Sequence, residues 1–197
     1  MRTSLLLSAA VLLSSCTTPP PPTAGATGAV RDIYQPGRLR PTDSVLRVKV
    51  GDPAPGFDLP AVQGGRVRLQ SFQGRKNVVL TFVPAAFTPV CSAQWPGYAL
   101  VSDLFAKHDA VLIGITTDNI PSLHAWTREM GGLPFPVLSD FWPHGATAAR
   151  YGLLRTNGTT ERALVVIDKK GLIRWIDVHD INQRPPLEDL AQALEGL

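Results

Sequence analysis

Two continuous apolar runs in the middle of the chain predict the centre of a β-sheet. Residues 77–83 (NVVLTFV) and 110–117 (AVLIGITT) are apolar at nearly every position and rich in β-branched side chains. This pattern is typical of strands that are buried on both faces. A turn containing Gly171 favours a hairpin between the last two predicted strands. Further strands are predicted over residues 66–69, 163–167 and 172–178.

Helical spacing of apolar residues separates these strands. In the longest helical segment, residues 92–107, the side chains of Leu100, Leu104 and Phe105 are expected to face inward. The order strand, helix, strand, helix, followed by a hairpin and a closing helix, predicts an α/β fold with a central mixed β-sheet flanked by helices. Shorter helices are predicted over residues 122–130, 145–151 and 186–197.

The first fifteen residues have the pattern of an export signal. Arg2 precedes an apolar run over residues 5–13, and small residues then lead to Cys16. The run is too short to span a bilayer comfortably. Leu13-Ser-Ser-Cys16 resembles the bacterial lipobox, which implies that Cys16 is lipidated and becomes the mature N-terminus; plain secretion is the alternative. The expected location is the cell envelope, as a lipoprotein anchored in the outer membrane or on the outer face of the plasma membrane.

Residues 16–44 differ in composition from the rest of the chain. They are rich in proline, threonine, glycine and alanine, with four consecutive prolines at positions 19–22. This composition predicts a flexible tether between the lipidated cysteine and the domain. The remaining residues, 45–197, are enough for one ordinary domain with a substantial core.

The net charge and the spacing of the histidines indicate which kinds of ligand the protein is not expected to bind. The chain has 19 lysines and arginines against 16 acidic residues, and removal of Arg2 with the signal lowers the net charge from +3 to +2 (18 minus 16). The sequence contains no run of lysines and arginines of the kind that indicates nucleic acid binding. No metal or other cofactor is expected, because no two histidines stand at metal-ligand spacing. The four histidines are His108, His124, His144 and His179.

Cys91 is the thiol that remains once Cys16 is lipidated, so the mature chain cannot form an internal disulfide. It follows a buried strand and begins a helix, and open α/β sheets carry their chemistry at the carboxyl ends of strands. A helix N-terminus favours the thiolate, which is the nucleophilic form. The hydroxyl of Thr88 can turn toward the sulfur or toward an oxygen bound beside it, while Pro84 and Pro89 stiffen the loop. A small buried hydrophobic residue is the alternative interpretation of this cysteine.

The spacing Pro84-x-x-x-Thr88-x-x-Cys91 resembles the active-site signature of the peroxiredoxins. The resemblance covers nearly the whole domain and implies a thioredoxin-like fold, which agrees with the predicted order of elements. Further similarities lie in residues 51–55 with Phe57 and Leu59, in residues 135–145, which are similar to the alkyl hydroperoxide reductase E type, and in residues 162–168 with Gly171.

The resemblance implies a thiol peroxidase. The thiolate of Cys91 would attack a hydroperoxide and become a sulfenic acid. The Thr88 hydroxyl, backbone N–H groups beside Cys91 and the guanidinium of Arg162 would stabilise the transition state, and Pro84 would screen the sulfur from over-oxidation. Because no resolving cysteine remains, an external thiol, either small or carried by a thioredoxin-like or glutaredoxin-like protein, would reduce the sulfenic acid.

Two further residues are secondary candidates for this site. Gln94 stands where the family often has a glutamate that orients an arginine, so the arginine network is expected to differ here. Arg128 would supply a second cation, with a solvated helix face as the alternative. The resemblance also implies a homodimer, and residues 141–143 (Phe-Trp-Pro) are candidates for the subunit contact or for the entrance to the site.

A different class of function stays open at this point. An envelope binding or scaffold domain could keep the thioredoxin fold without peroxidase turnover. A thioredoxin-like disulfide exchanger is disfavoured, because Cys91-Ser-Ala-Gln94 lacks the second cysteine that such exchange uses.

Overall fold

The computed structural model describes residues 30–197, so the predicted export signal and Cys16 lie outside the described residues. No helix within the described range is long and apolar enough to cross a membrane. The elements, in chain order, are β1 (Asp58–Pro60), β2 (Arg66–Arg68), β3 (Asn77–Phe82), α1 (Pro89–Leu100), α2 (Ser102–Lys107), β4 (Ala110–Thr116), α3 (Ile120–Glu129), β5 (Val137–Ser139), α4 (Ala146–Tyr151), β6 (Arg162–Ile167), β7 (Ile173–His179) and α5 (Leu187–Glu195).

A five-stranded mixed sheet forms the centre of the molecule, with strand order β5-β4-β3-β6-β7. β3 pairs in parallel with β4, and β4 with β5, whereas β6 runs antiparallel to both β3 and β7. Alternate side chains of β3 serve two separate cores. Val79 packs in the core that contains residues of α1, α3 and α5, and Leu80 packs in the core that contains residues of α4. The predicted mixed sheet flanked by helices is confirmed.

The helix predicted over residues 92–107 is broken in the structure. α1 ends at Leu100 and α2 begins at Ser102, because Val101 leaves the helical conformation with φ −112° and ψ 31°. The break separates two side chains that were expected to face inward together. Phe105 is buried, but Leu100 is 88% exposed, so its predicted core position is wrong.

Part of the predicted tether contacts the domain. The backbone N–H of Leu39 donates to the side chain of Asn182, and the Asn182 amide donates back to the carbonyl of Leu39, each over 2.9 Å. The N–H of Asp43 donates to the carboxylate of Glu161 over 2.6 Å. Residues 39–44 are therefore not a free linker, and the packed chain begins upstream of the boundary expected at residue 45.

A buried ion pair anchors this upstream chain. The carboxylate of Glu161 is fully buried and accepts a hydrogen bond from Arg155, whose side chain is 5% exposed. The same guanidinium donates to the carbonyl of Arg40 over 2.8 Å, while Glu161 also receives the N–H of Asp43. One pair of buried charges thus connects the start of β6 to the segment that precedes β1.

Replacing Glu161 with alanine is expected to destabilise the protein by about 3–5 kcal/mol, because the mutation leaves Arg155 buried without its counter-ion. The midpoint of urea denaturation measures this effect. Glu195→Ala is the matched control, since Glu195 is exposed on the last turn of α5. Equal denaturation midpoints for the two variants would contradict the anchoring role of the pair.

Candidate active site

The loop between β3 and α1 is fixed by side chains from neighbouring segments. The hydroxyl of Thr160 donates to the carbonyl of Val83 over 2.7 Å. The N–H of Ala86 donates to the carboxylate of Asp118 over 2.8 Å. Phe87 has a φ of 55°, which is uncommon for a residue with a side chain. The loop therefore holds one particular conformation on the approach to α1.

The first turn of α1 places Cys91 where backbone donors have no helical partner. Thr88 is the N-cap and Pro89 is the first helical residue, so the N–H of Cys91 belongs to the unpaired first turn. The hydroxyl of Thr88 donates to the carbonyl of Ala85 over 2.9 Å and not to the sulfur in this state. Partial positive charge from the helix terminus still surrounds the thiol.

Arg162 lies next to the thiol, as the family resemblance implies. Its Nη2 is 3.5 Å from Sγ of Cys91, and both side chains are almost completely buried. The carbonyl of Ile181 accepts from Nε over 3.1 Å and from Nη2 over 3.0 Å. Because Arg162 begins β6 just beyond the last residue of β3 that pairs with it, the sheet register itself brings the guanidinium to the active-site loop.

Gln94 orients the guanidinium in place of a carboxylate. Its buried side-chain oxygen accepts from Nη1 of Arg162, and its amide donates to the hydroxyls of Thr81 and Tyr98, each over 3.3 Å. Burial raises the pKa of Tyr98 to about 12, although the Gln94 hydrogen bond and the charge of Arg162 act in the opposite direction. Tyr98 is therefore neutral, and no carboxylate among residues 30–197 hydrogen-bonds to Arg162. The positive charge beside the sulfur is left undiminished.

Replacing Gln94 with alanine is expected to slow oxidation of Cys91 by peroxide about tenfold, equivalent to about 1.4 kcal/mol, because Arg162 loses one of its two oxygen acceptors. Gln94→Glu keeps an acceptor at the same place and is expected to stay within about threefold of the wild-type rate. Stopped-flow tryptophan fluorescence follows the reaction. If Gln94→Ala reacts as fast as wild type, Gln94 does not position the guanidinium.

A cavity of about 590 Å³ adjoins the thiol. The buried side chains of Pro84 and Arg162 form its inner wall together with Thr88, and the mostly exposed residues 34–39 also line it. Pro84 is buried and lines the cavity beside the active-site loop, which suits the screening role expected of it. The sulfur of Cys91 has no exposed surface, so it lies just beneath the inner wall.

Two sequence candidates lie outside this cavity. Arg128 is exposed on α3 and does not line it, so the structure does not bring a second cation to the thiol from that helix. Phe141 and Trp142 are 48% and 69% exposed and border a different cavity beside β1 and α4. Neither residue lines the cavity that adjoins Cys91. Within residues 30–197 no cluster of histidine, cysteine and acidic residues could hold a metal ion.

Several groups at the site were not predicted from the sequence. The acceptor at Ile181 is a main-chain carbonyl, so the pattern of side chains along the sequence does not indicate it. Asn182, which holds Leu39, follows it in a loop with no regular spacing. Residues 34–39 were assigned to the tether because the surrounding segment is rich in proline and glycine. The large side chains of Tyr34 and Leu39 are a signal that could have indicated a segment packed on the domain.

Comparison with known proteins agrees with this geometry. Residues 50–176 match the AhpC/TSA family. Alkyl hydroperoxide reductase E from Mycobacterium tuberculosis is 34% identical over 132 residues, which cover 66% of this chain and 86% of that protein. A 2-Cys peroxiredoxin from Plasmodium vivax superposes with a TM-score of 0.69 at 27% identity, covering 74% of this chain and 80% of the other. Peroxidoxin BcpB from Mycobacterium tuberculosis gives a TM-score of 0.67 at 25% identity, covering 77% and 99%. The thioredoxin-like fold is thus confirmed, and the chain belongs to the AhpC/TSA family.

Proposed function

We propose that the protein is a thiol-dependent peroxidase that reduces hydrogen peroxide or organic hydroperoxides through Cys91. The observation that supports this most directly is the 3.5 Å contact between Nη2 of Arg162 and Sγ of Cys91 at the edge of a cavity. The relatives are named alkyl hydroperoxide reductases and peroxiredoxins, which are peroxide-reducing proteins by name. Residue chemistry and family membership therefore point to the same reaction.

The first chemical step joins sulfur to oxygen. The thiolate of Cys91 attacks the terminal oxygen of the hydroperoxide, the S–O bond forms, and the O–O bond breaks. Cys91 becomes a sulfenic acid, and the leaving alkoxide or hydroxide takes a proton to give an alcohol or water. Negative charge spreads over the sulfur and both oxygens in the transition state. The guanidinium of Arg162 and the N–H groups of the first turn of α1 lie where that charge develops.

Thr88 requires one rotation to take part. Its hydroxyl donates to the carbonyl of Ala85 in the resting structure. Turning about χ1 would release this hydrogen bond and aim the hydroxyl into the cavity, which Thr88 already lines. The Thr88 hydroxyl, which donates to the carbonyl of Ala85 in the resting structure, can therefore donate to an oxygen of a bound peroxide.

The sulfenic acid is reduced by an external thiol. Cys91 is the one cysteine in the part of the chain that the structure describes, and it is free. The sequence contains one further cysteine, Cys16, whose sulfur is unavailable if it is lipidated. A binding or scaffold domain is the less favoured function, because such a domain gains nothing from a buried guanidinium directed at a buried thiol.

The experiment for this function uses one equivalent of hydrogen peroxide and no reductant. Trp95 lies in the same core as Cys91, with its ring centroid 4.8 Å from that of Trp126, so oxidation is expected to change tryptophan fluorescence. Mass spectrometry should then find one added oxygen atom on Cys91. A thiol that reacts no faster than free cysteine would contradict the peroxidase function.

We further propose that the protein is an envelope lipoprotein. The support is the order of Arg2, the apolar residues 5–13 and the lipobox-like Leu13-Ser-Ser-Cys16. Mass spectrometry of the mature N-terminus tests this directly, since a diacylglyceryl group on Cys16 is expected. An unmodified residue 16, or a retained signal segment, would contradict it.

A homodimer is also proposed, with the exposed aromatic side chains of Phe141 and Trp142 at the contact. Large exposed aromatic side chains are enriched at protein interfaces. Trp142→Asp is expected to weaken self-association at least tenfold, as measured by sedimentation equilibrium. Leu100→Asp is the control, because Leu100 is also an exposed apolar residue but lies on α1. Equal association constants for the two variants would contradict the proposed contact.

A further inference from the structure

Residues 34–39 form a strap across the cavity that adjoins Cys91. All six of these residues line the cavity. At one end, the N–H of Tyr34 donates to the carbonyl of Phe87 over 2.8 Å. At the other end, Leu39 exchanges two hydrogen bonds of 2.9 Å with the side chain of Asn182. The strap is therefore attached on both sides of the space that it covers.

Both attachment points adjoin groups of the catalytic site. Phe87 directly precedes Thr88, the N-cap of α1. Asn182 directly follows Ile181, whose carbonyl holds the guanidinium of Arg162. Beyond Leu39 the chain is anchored again, through the carbonyl of Arg40 and the buried side chain of Arg155. A segment fixed in this way is part of the site and not a passing piece of linker.

The strap limits what can approach the oxidised sulfur. Forming a disulfide with Cys91 requires an S–S bond of about 2.05 Å, and the two Cα atoms of a protein disulfide lie about 4.4–6.8 Å apart. A protein reductant must therefore bring its own backbone to within about 7 Å of Cys91. Cys91 has no exposed surface, and four of the six strap residues that line the adjoining cavity are exposed, so the strap lies between the cavity and solvent. A folded protein surface meets the strap before it reaches that distance.

A small thiol meets no such obstacle. The cavity volume of about 590 Å³ lies within the roughly 300–1,000 Å³ that is usual for small-molecule sites. A thiol of a few hundred daltons fits inside the cavity whole, so only the inner wall over Cys91 has to open before the two sulfurs meet. The strap therefore discriminates by size and shape between the two classes of thiol that the chemistry alone would accept.

We propose that the strap of residues 34–39 makes the resolving step selective for low-molecular-weight thiols over protein thiols. The inference rests on the proposed peroxidase function. A first small thiol attacks the sulfenic sulfur, forms a mixed disulfide with Cys91 and releases water. A second attacks the mixed disulfide, regenerates the Cys91 thiol and leaves as the oxidised, disulfide-linked pair. The overall reaction consumes one hydroperoxide and two thiols and yields one alcohol or water, one water and one small disulfide.

The test separates the resolving step from peroxide reduction. The full chain carrying Cys16→Ser, so that Cys91 is its only thiol, is oxidised with one equivalent of peroxide. Reduced glutathione or reduced thioredoxin is then added, and loss of the sulfenic acid is timed by trapping with dimedone. The ratio of the two second-order rate constants is compared between variants, which cancels the different intrinsic reactivities of the two reductants.

Tyr34→Pro removes the N–H that holds one end of the strap, and Glu195→Ala, on the exposed last turn of α5 and outside the cavity, is the control. Tyr34→Pro is expected to raise the thioredoxin-to-glutathione ratio at least tenfold, while Glu195→Ala leaves it within twofold. Asn182→Ala, which frees the other end, is expected to act in the same direction as Tyr34→Pro. An unchanged ratio in both Tyr34→Pro and Asn182→Ala would overturn the inference.

Failure of the inference and failure of the proposed function give different results. If one equivalent of peroxide does not oxidise Cys91, the peroxidase function itself is wrong. If Cys91 is oxidised but loosening the strap does not change the ratio, the peroxidase function stands and the selectivity of the strap is wrong.

Discussion

Replacing Cys91 with serine is expected to abolish peroxide reduction. A serine hydroxyl at this position is not ionised near neutral pH, and oxygen lacks the nucleophilicity that lets a thiolate displace the leaving oxygen of a peroxide. Arg162 can still donate to the serine oxygen, so the change preserves the buried hydrogen bond while it removes the reactive atom. The fluorescence change on addition of peroxide and the added oxygen atom on residue 91 are both expected to disappear.

The stability of this variant is the control for the experiment. Serine is close to cysteine in shape, and the buried hydroxyl keeps Arg162 as a partner, so a change of only about 1 kcal/mol in the free energy of unfolding is expected. Persistent peroxide consumption by a folded Cys91→Ser protein would place the chemistry on another residue. It would then also remove the basis for assigning Arg162 a role in catalysis.

Replacing Arg162 with methionine is expected to lower the rate constant for oxidation of Cys91 by about 10²–10³, equivalent to about 2.7–4 kcal/mol, which is typical for loss of one preorganised donor to a developing anion. The guanidinium is held by Ile181 and Gln94 with its Nη2 against the sulfur, so little reorganisation is needed during reaction. Arg162→Lys is expected to be intermediate, because an ammonium keeps the charge but cannot reach both acceptors and the substrate in one plane.

A matched substitution separates this effect from a general loss of positive charge. Arg128→Met makes the same chemical change on the exposed face of α3, outside the cavity, and is expected to leave the rate constant within about twofold of wild type. Urea denaturation should accompany the kinetics, because Arg162 is buried and its loss leaves the oxygen of Gln94 without a donor. Equal rate constants for Arg162→Met and Arg128→Met would exclude Arg162 from the transition state.

The sequence was most informative where burial is complete. Strand β3 is buried at every position and β4 at its last five positions, so their continuous apolar runs were visible in the sequence. The family signature then indicated Cys91 and Thr88, the similarity over residues 162–168 indicated Arg162, and the structure places the thiol and the guanidinium in contact. Residues separated by about 70 positions in the chain meet because β3 and β6 are neighbours in the sheet.

Features that depend on backbone groups or on local strain could not be predicted in the same way. The spacing of apolar residues between 92 and 107 fits one continuous helix, and only the backbone of Val101 reveals the break. The hydroxyl of Thr88 has two possible partners within reach of a rotation, and sequence does not choose between them. The acceptor supplied by Ile181 is a main-chain carbonyl, which any residue type could provide.

The path of the upstream chain has a practical consequence for preparing this protein. The match to the family begins at residue 50, yet Tyr34 and Leu39 wall the site and Asp43 contacts a buried carboxylate. A protein that began at residue 50 would lack residues 34–39, which line the cavity beside Cys91. Glu161 would also lose the hydrogen bond that the N–H of Asp43 donates. The shortened protein would have an open groove in place of the cavity, so its preference among reductants would differ from that of the full-length protein.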